Sequence, residues 1–191
     1  RENDPCDELF IVKHGLAMSY VILDDGSRQI LRFLFAGDLF GVTSLVYRDA
    51  PESVVALTDC TVCPFERDAL GKLTVAHPRL GALILVYNQI ERVALTDRLA
   101  ALGRTSAKAR VAAILLEMRN RMRRRDKDIG DSFLIGLTQE EIGDATGLTS
   151  VHVNRMLRQL EDEGAIARSG GRVTFRDEGA LARTANFSDR Y

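Results

Sequence analysis

The thirty residues from Leu137 to Ile166, LTQEEIGDATGLTSVHVNRMLRQLEDEGAI, constrain this chain more than any other segment. They read as two helices joined by a tight turn. Ile142 supplies the first helix's core contact, and Gly143 beside it presents no side chain where a second helix must pass close. Gly147 falls where the chain turns and a positive φ costs glycine little. Leu148 packs inward, Thr149 can cap the next helix through its hydroxyl, and Val153, Met156, Leu157 and Leu160 recur at helical spacing. Gln139, Ser150, Asn154, Arg155 and Arg158 are left facing outward. An ordinary helical hairpin shares the turn glycine and the cap. The small residue, the turn glycine and the branched aliphatic together single out a helix-turn-helix, whose second helix lies in the major groove of DNA.

A net charge of only −1 argues on its face against a nucleic-acid binder. The distribution reverses that impression. Residues 1–97 hold 9 Lys and Arg against 14 Asp and Glu, a net of −5, whereas residues 98–191 hold 17 against 13, a net of +4. An acidic half followed by a basic half suggests a sensing domain and a DNA-facing one. The basic run Arg119, Arg121, Arg123, Arg124 and Arg125 reads as a solvated helix end, favourable to the helix dipole, ahead of a phosphate contact. No stretch approaches the ~20 apolar residues of a membrane span, and no signal-peptide pattern opens the chain. Three cysteines do not make a disulfide scaffold, which points to a reducing cytoplasm.

The first seventy residues read as short strands separated by turns. Leu9–Val12 is apolar and β-prone, His14-Gly15 marks a turn, and Asp24-Asp25-Gly26-Ser27 is a hairpin signal between Leu16–Leu23 and Arg28–Leu34. Ser53–Leu57 and Thr61–Phe65 are two further strands, so an antiparallel barrel or sandwich is expected. A short helix over Asp68–Leu73 follows. Pro78 then starts a long helix, about 24 residues and ~36 Å from Arg79 to Leu102. Its apolar residues Ile84, Tyr87, Ile90, Leu95, Leu99 and Leu102 exceed what one small barrel needs, which makes it a candidate dimer seam. Asp97 and Arg98 break the heptad, so the stripe could instead cover the barrel. A helix from Ala107 to Arg123, capped by Thr105 or Ser106, has Val111, Ile114, Leu115 and Met118 on one face. Phe133–Leu137 is a short strand. Beyond the helix-turn-helix, Ile166–Arg168, the turn Ser169-Gly170-Gly171 and Arg172–Phe175 form a small hairpin, the wing of a winged helix, and a short helix can follow Asp177.

The order of strands, long helix and winged helix resembles the cyclic-AMP receptor protein and fumarate-nitrate regulator family of bacterial transcription factors. The resemblance covers essentially the whole chain and rests on Phe10–Gly15, FAGDLFG at Phe35–Gly41, ERVALTDRLAALGRTSAKARVAAILLEM at Glu91–Met118, and Leu137–Ile166. It implies an α+β fold: an antiparallel β-roll (a cupin-like jelly roll) as effector domain over 1–78, a dimerisation helix over 79–103, and a winged helix-turn-helix over 104–191. It further implies a cytoplasmic homodimer on a pseudo-palindromic DNA site, with RNA polymerase as a further partner and no enzymatic activity. No nucleophile–base pair or phosphate-binding glycine loop contradicts that last expectation. The family's β-roll carries strand residues before the segment at Leu9, so the chain is expected to lack part of its N-terminus.

Family members that bind cyclic AMP place a glutamate after the glycine of the FxGDxxG turn, and an arginine with Ser or Thr eleven residues after that glycine. The matching positions here are Gly41-Val42 and Glu52-Ser53. Valine accepts no hydrogen bond and Glu52 would repel a phosphate, so cyclic AMP is not the expected effector. The oxygen-sensing branch holds an iron–sulfur cluster through N-terminal cysteines and one β-roll cysteine, whose position here is Thr61, with Cys60 and Cys63 to either side. Residues three apart on a strand have opposite parity, so those two read as packing cysteines and not as metal ligands. Cys6, in a loop, is incidental. His14 could be imagined as a haem ligand, but a surface turn histidine is the plainer reading, and His77 is a neighbour of the helix cap. The alternatives that remain are a redox or gas sensor whose cluster or haem ligands lie upstream, and an effector-independent DNA binder.

Within the helix-turn-helix, the family pattern assigns Ser150, Val151, Asn154 and Arg155 to base edges, with Arg155 bidentate to a guanine. Many relatives carry glutamate where Val151 stands; valine can pack only on a thymine methyl. Thr138, Gln139, Thr149 and His152 are placed for phosphates. His152 is equally a buried or solvent-facing spacer.

Overall fold

The computed structural model describes residues 1–190. The chain forms two compact units, Arg1–Leu95 and the remainder from Thr96. In the first, two three-stranded antiparallel sheets form the β-roll. One has the order β4-β1-β6, from β1 (Glu8–His14), β4 (Leu39–Phe40) and β6 (Thr61–Glu66). The other has the order β3-β2-β5, from β2 (Leu16–Ile22), β3 (Arg28–Phe35) and β5 (Ser53–Ala56). The expected turns sit where their residues allow them. Gly15 has φ +92°, and a Cβ there would lie 2.3 Å from the Asp59 carbonyl oxygen, so only glycine links β1 to β2. Leu16–Ser19 of β2 and Phe33–Phe35 of β3 are buried without alternation, so these strands are covered on both faces, and Val12, Ala17 and Leu34 form one core cluster. The predicted short helix is α1 (Arg67–Ala76), longer than expected at both ends.

Helix α2 runs unbroken from Pro78 to Arg104. Its face toward the β-roll is polar as well as apolar. The Tyr87 hydroxyl accepts from the Leu39 amide at 3.1 Å, and Glu91 pairs with Arg32 of β3 at 2.6 Å. Burial, then the neighbouring Asp38 and Glu91 carboxylates, push the Tyr87 phenol up to about 12. These contacts place part of the expected stripe against the β-roll. Tyr87 faces its own β-roll, and Ile84 lies one turn before it on the same half-buried face. Leu102 is also half-buried, and its side chain lies 3.9 Å from where a Cβ would stand on Gly147. Leu85, Leu95 and Leu99 instead stand 62%, 45% and 72% exposed, and with Asn88 and Arg92 they follow an unbroken 3-4 spacing along α2. Asp97 and Arg98 lie off that stripe, paired with Arg190 and Glu117, both at 2.6 Å.

The second unit is built on α3 (Ala107–Arg125), capped by Ser106, whose hydroxyl accepts from the Ala109 amide at 3.1 Å. Its buried stripe, Val111, Ile114, Leu115 and Met118, packs against α4 (Gln139–Thr146), α5 (Ser150–Asp162) and α6 (Glu178–Ala185). Strands β7 (Ser132–Leu134), β8 (Ile166–Ser169) and β9 (Arg172–Phe175) form the wing sheet in the order β7-β9-β8. The basic run on α3 is not uniformly solvated, contrary to expectation. Arg119 is 1% exposed, pairs with Glu178, and stacks 5.1 Å from the Phe175 ring centroid; Arg121 is also buried. Four and three residues after the core positions Leu115 and Met118, both side chains fall on the buried stripe. Arg123, Arg124 and Arg125 do face solvent. Among the described residues no single helix is long and apolar enough to cross a membrane.

Candidate nucleic-acid interface

Helix α4 begins with a reciprocal cap. The Thr138 hydroxyl accepts from the Glu141 amide at 3.1 Å, and the Glu141 carboxylate accepts from the Thr138 amide at 2.7 Å. It ends on Gly147, in the left-handed region at φ +66°. Gly143 lies where the chain doubles back: a Cβ there would stand 2.4 Å from the Leu148 carbonyl oxygen. Leu148 in turn donates its amide to the Gly143 carbonyl at 3.0 Å. The two helices therefore meet backbone to backbone, and α5 emerges at an angle set by that contact.

Thr149 caps α5 by accepting from the His152 amide at 3.3 Å. Val153, Met156, Leu157 and Leu160 are buried, so four of the helix's five apolar side chains hold it to the rest of the unit. The opposite face carries Ser150, Val151, Arg155 and Arg158, all exposed, with Asn154 and His152 half-buried at its margin. This is the face that the sequence assigned to bases, and Ser150, Val151, Asn154 and Arg155 lie together on its first two turns. Backbone amides in the first turn of α5 have no intrahelical acceptor, and with the helix dipole they make that end attractive to an anion.

The residues expected at phosphates differ in what they can still offer. Each threonine hydroxyl has one proton to donate. Thr149 uses its oxygen as a cap and keeps that proton for an outside acceptor. Thr138 donates its proton to Glu141 at 2.9 Å. Gln139, exposed in the first turn of α4, is the better-placed partner there.

The wing is tied to α5. Arg168 of β8 pairs with Glu161 of α5 at 2.6 Å, and this hydrogen-bonded guanidinium holds the Glu161 carboxyl below its ordinary range. Lys108 of α3 reaches Glu163 at 2.6 Å, and Arg172 of β9 donates to the Ser132 carbonyl at 2.7 Å. Arg119, which the charge run presents as solvated, is a structural centre of this unit. Its helical spacing from Leu115 was the available signal.

In the β-roll, Gly41 takes the left-handed conformation at φ +74°, and a Cβ would lie 2.9 Å from the Glu8 carbonyl oxygen. Val42 follows it at the start of a 3₁₀ turn, Val42–Leu45. Glu52 lies 3.6 Å from Arg32, which Glu91 also holds, and the buried Ser53 hydroxyl accepts from the Glu2 amide at 2.9 Å. These residues do not fit a cyclic nucleotide. The arginine among them is already shared by two carboxylates, and nothing at position 42 can accept from a ribose hydroxyl. The three cysteines are free and half-buried; the Cys60 thiol donates to the Leu16 carbonyl at 3.3 Å. No group of three or more His, Cys, Asp or Glu among the described residues is placed to hold a metal ion. His14 is exposed at its turn.

Comparison with known proteins agrees with this architecture. Residues 1–77 match the family model for the cyclic nucleotide-binding domain, and residues 109–184 match that for the Crp-like helix-turn-helix domain. The nitrogen fixation regulation protein FixK of Bradyrhizobium diazoefficiens is 32% identical over 92% of this chain and 73% of its own length. The fumarate and nitrate reduction regulatory protein of Escherichia coli is 27% identical over 97% of this chain and 74% of its own length. The solved structure of FixK2 from Bradyrhizobium japonicum superposes with a TM-score of 0.86 at 28% identity, covering 98% of this chain and 92% of that one. These relatives are transcription regulators and not enzymes. With a β-roll, a long helix and a winged helix-turn-helix in that order, the chain belongs to the Crp/Fnr family of bacterial transcription regulators.

Proposed function

We propose that this chain acts in the cytoplasm as a homodimeric, sequence-specific regulator that reads a pseudo-palindromic DNA site and meets RNA polymerase there. The observation that carries the reading is the division of α5 into a buried apolar stripe and an exposed face bearing Ser150, Val151 and Arg155, with Asn154 half-buried at its margin. Arg155 donates to a guanine, Ser150 and Asn154 to neighbouring bases, and Thr149, Gln139 and His152 hold phosphates. Thr138 acts through the cap that orients α4. The functional division is an effector domain over 1–78, a dimerisation helix over 79–103 and a DNA-binding domain over 104–191.

Dimerisation rests on Leu85, Leu95 and Leu99. Three leucines in water along one stripe of a helix are costly unless a partner covers them, and burial of each is worth about 1.5–3 kcal/mol. Two-fold pairing would set half-sites about one turn of DNA apart.

The signal sensed by the β-roll is not a cyclic nucleotide. The Glu52–Arg32–Glu91 arrangement joins β-roll to α2 with groups of this chain alone, which favours DNA binding without an added effector over a cyclic-nucleotide switch. Fluorescence anisotropy with duplexes selected from a random pool tests the whole reading. Arg155→Ala should cost ~1–3 kcal/mol at one base pair per half-site and relax preference there. A uniform loss over all sequences would mean that Arg155 touches only phosphate. A clear rise in melting temperature with cyclic AMP would overturn the effector argument.

A further inference from the structure

We propose that Val151 reads the C5-methyl group of one pyrimidine in each half-site, so that the protein accepts thymine and 5-methylcytosine alike and rejects uracil and unmethylated cytosine. The inference rests on the base-reading role of α5 proposed above. Val151 is 78% exposed, whereas the other four apolar side chains of the helix are buried. A single apolar side chain in water is common and by itself decides nothing. Its position decides: it is the second residue of α5, on a face otherwise made of Ser150, Asn154, Arg155 and Arg158.

The major groove presents polar edges at every base pair and one apolar group, the methyl on C5 of thymine. Methylated cytosine carries the same group on the same ring atom. Valine gains by burying that methyl, and neither the exocyclic O4 of thymine nor the N4 amino group of methylated cytosine beside it gains or loses a protein partner in the exchange. Preference therefore comes from the methyl group itself. In a helix a valine side chain is held to essentially one χ1 rotamer, so the contact surface stands ready before DNA arrives.

Geometry also places the pyrimidine. Four residues of helix separate Val151 from Arg155 and advance about 6 Å. Base pairs stack about 3.4 Å apart, so the pyrimidine lies within two base pairs of the guanine that Arg155 reads.

The test uses the full chain and duplexes selected from a random pool by the wild type. Each thymine within two base pairs of the Arg155-dependent guanine is replaced by deoxyuridine, deoxycytidine or 5-methyldeoxycytidine, and affinity is read by anisotropy. Loss of one buried methyl should weaken binding about four-fold per half-site and about fifteen-fold when both half-sites are changed. Unmethylated cytosine should be at least as poor as uracil, and 5-methylcytosine should return within two-fold of thymine. Val151→Ala, which leaves the buried stripe untouched and should melt with the wild type, should erase most of the thymine–uracil difference. Equal wild-type affinity for uracil and thymine at every such position overturns the inference while leaving the Arg155 reading intact. So does a difference that survives in Val151→Ala. Failure to enrich any sequence from the pool would overturn both.

Discussion

Gly143 offers the sharpest check on how the reading helix is held, because two ordinary expectations about a helical glycine point in opposite directions there. Gly143→Ala should gain up to about 1 kcal/mol from helix propensity alone. The structure opposes it. The new methyl would stand 2.4 Å from the Leu148 carbonyl oxygen, about 1 Å inside ordinary contact, and that atom is backbone, not the yielding end of a side chain. Relief requires α4 and the turn to part, which strains the 3.0 Å hydrogen bond from the Leu148 amide to the Gly143 carbonyl. Overpacking of this kind costs about 1–3 kcal/mol and a weakened backbone bond about 0.5–1.5 kcal/mol more. The net is a loss of about 1–3 kcal/mol, or a fall in melting midpoint of roughly 4–8 °C per kcal/mol for a unit this size. Gly103→Ala is the matched control. It lies in a helix of the same compact unit with nothing within 4 Å of its would-be Cβ, so it should hold or slightly raise the midpoint. Differential scanning calorimetry of the full chain, together with anisotropy on the selected duplex, reads both effects. A Gly143→Ala protein that melts with or above the Gly103→Ala protein and binds DNA with undiminished affinity would refute the claim that α4 and the turn meet backbone to backbone.

Three further outcomes follow from the geometry. Leu99→Arg should shift the protein from dimer to monomer in sedimentation velocity and lower DNA affinity more than ten-fold, whereas Ile84→Ala should lower stability and leave the association state unchanged. The Tyr87 phenol, pushed up to about 12 by burial, stays neutral in the fold after an unfolded chain would ionise it near 10. Its contribution to stability is therefore whole below pH 10 and is lost as pH rises from 10 to 12; Tyr87→Phe should flatten that alkaline limb, and the 295 nm absorbance titration should lose its latest component. Arg119→Ala should destabilise the winged unit by about 2–3 kcal/mol through lost packing over Phe175. Arg119→Met should recover much of that loss in a urea melt, because Asp131 and Glu178 are half-exposed and can return to water.

What could be read from the residues was what depends on near neighbours in the chain. Gly143, Gly147, Thr149 and the stripe from Val153 to Leu160 act within a few turns of one another, and spacing alone specified their roles. The wing hairpin was equally legible, since Ser169-Gly170-Gly171 leaves the chain little choice but to turn. The covered face of α2 was not. That helix is apolar on several sides, and the choice of covered face is made by Leu39 and Arg32, which lie 48 and 59 residues from their partners Tyr87 and Glu91. Spacing along α2 therefore cannot tell that Tyr87 turns to Leu39 while Leu85 stands in water. The buried arginines of α3 misled for a related reason. A charge run reads as solvated unless each member's place on the helical stripe is checked, and Arg119 shares the stripe of Leu115. Thr138 shows the converse: its capping box with Glu141 was written in the three-residue spacing and was legible without any long-range contact.

On α5 the side chains buried against the rest of the unit and those proposed to meet bases are separate sets. Exchanges at positions 150, 151, 154 and 155 leave Val153, Met156, Leu157 and Leu160 in place. Preference for one operator over another can thus drift by single substitutions that the fold hardly registers. If those four positions read the operator, its sequence can change while the architecture stands still.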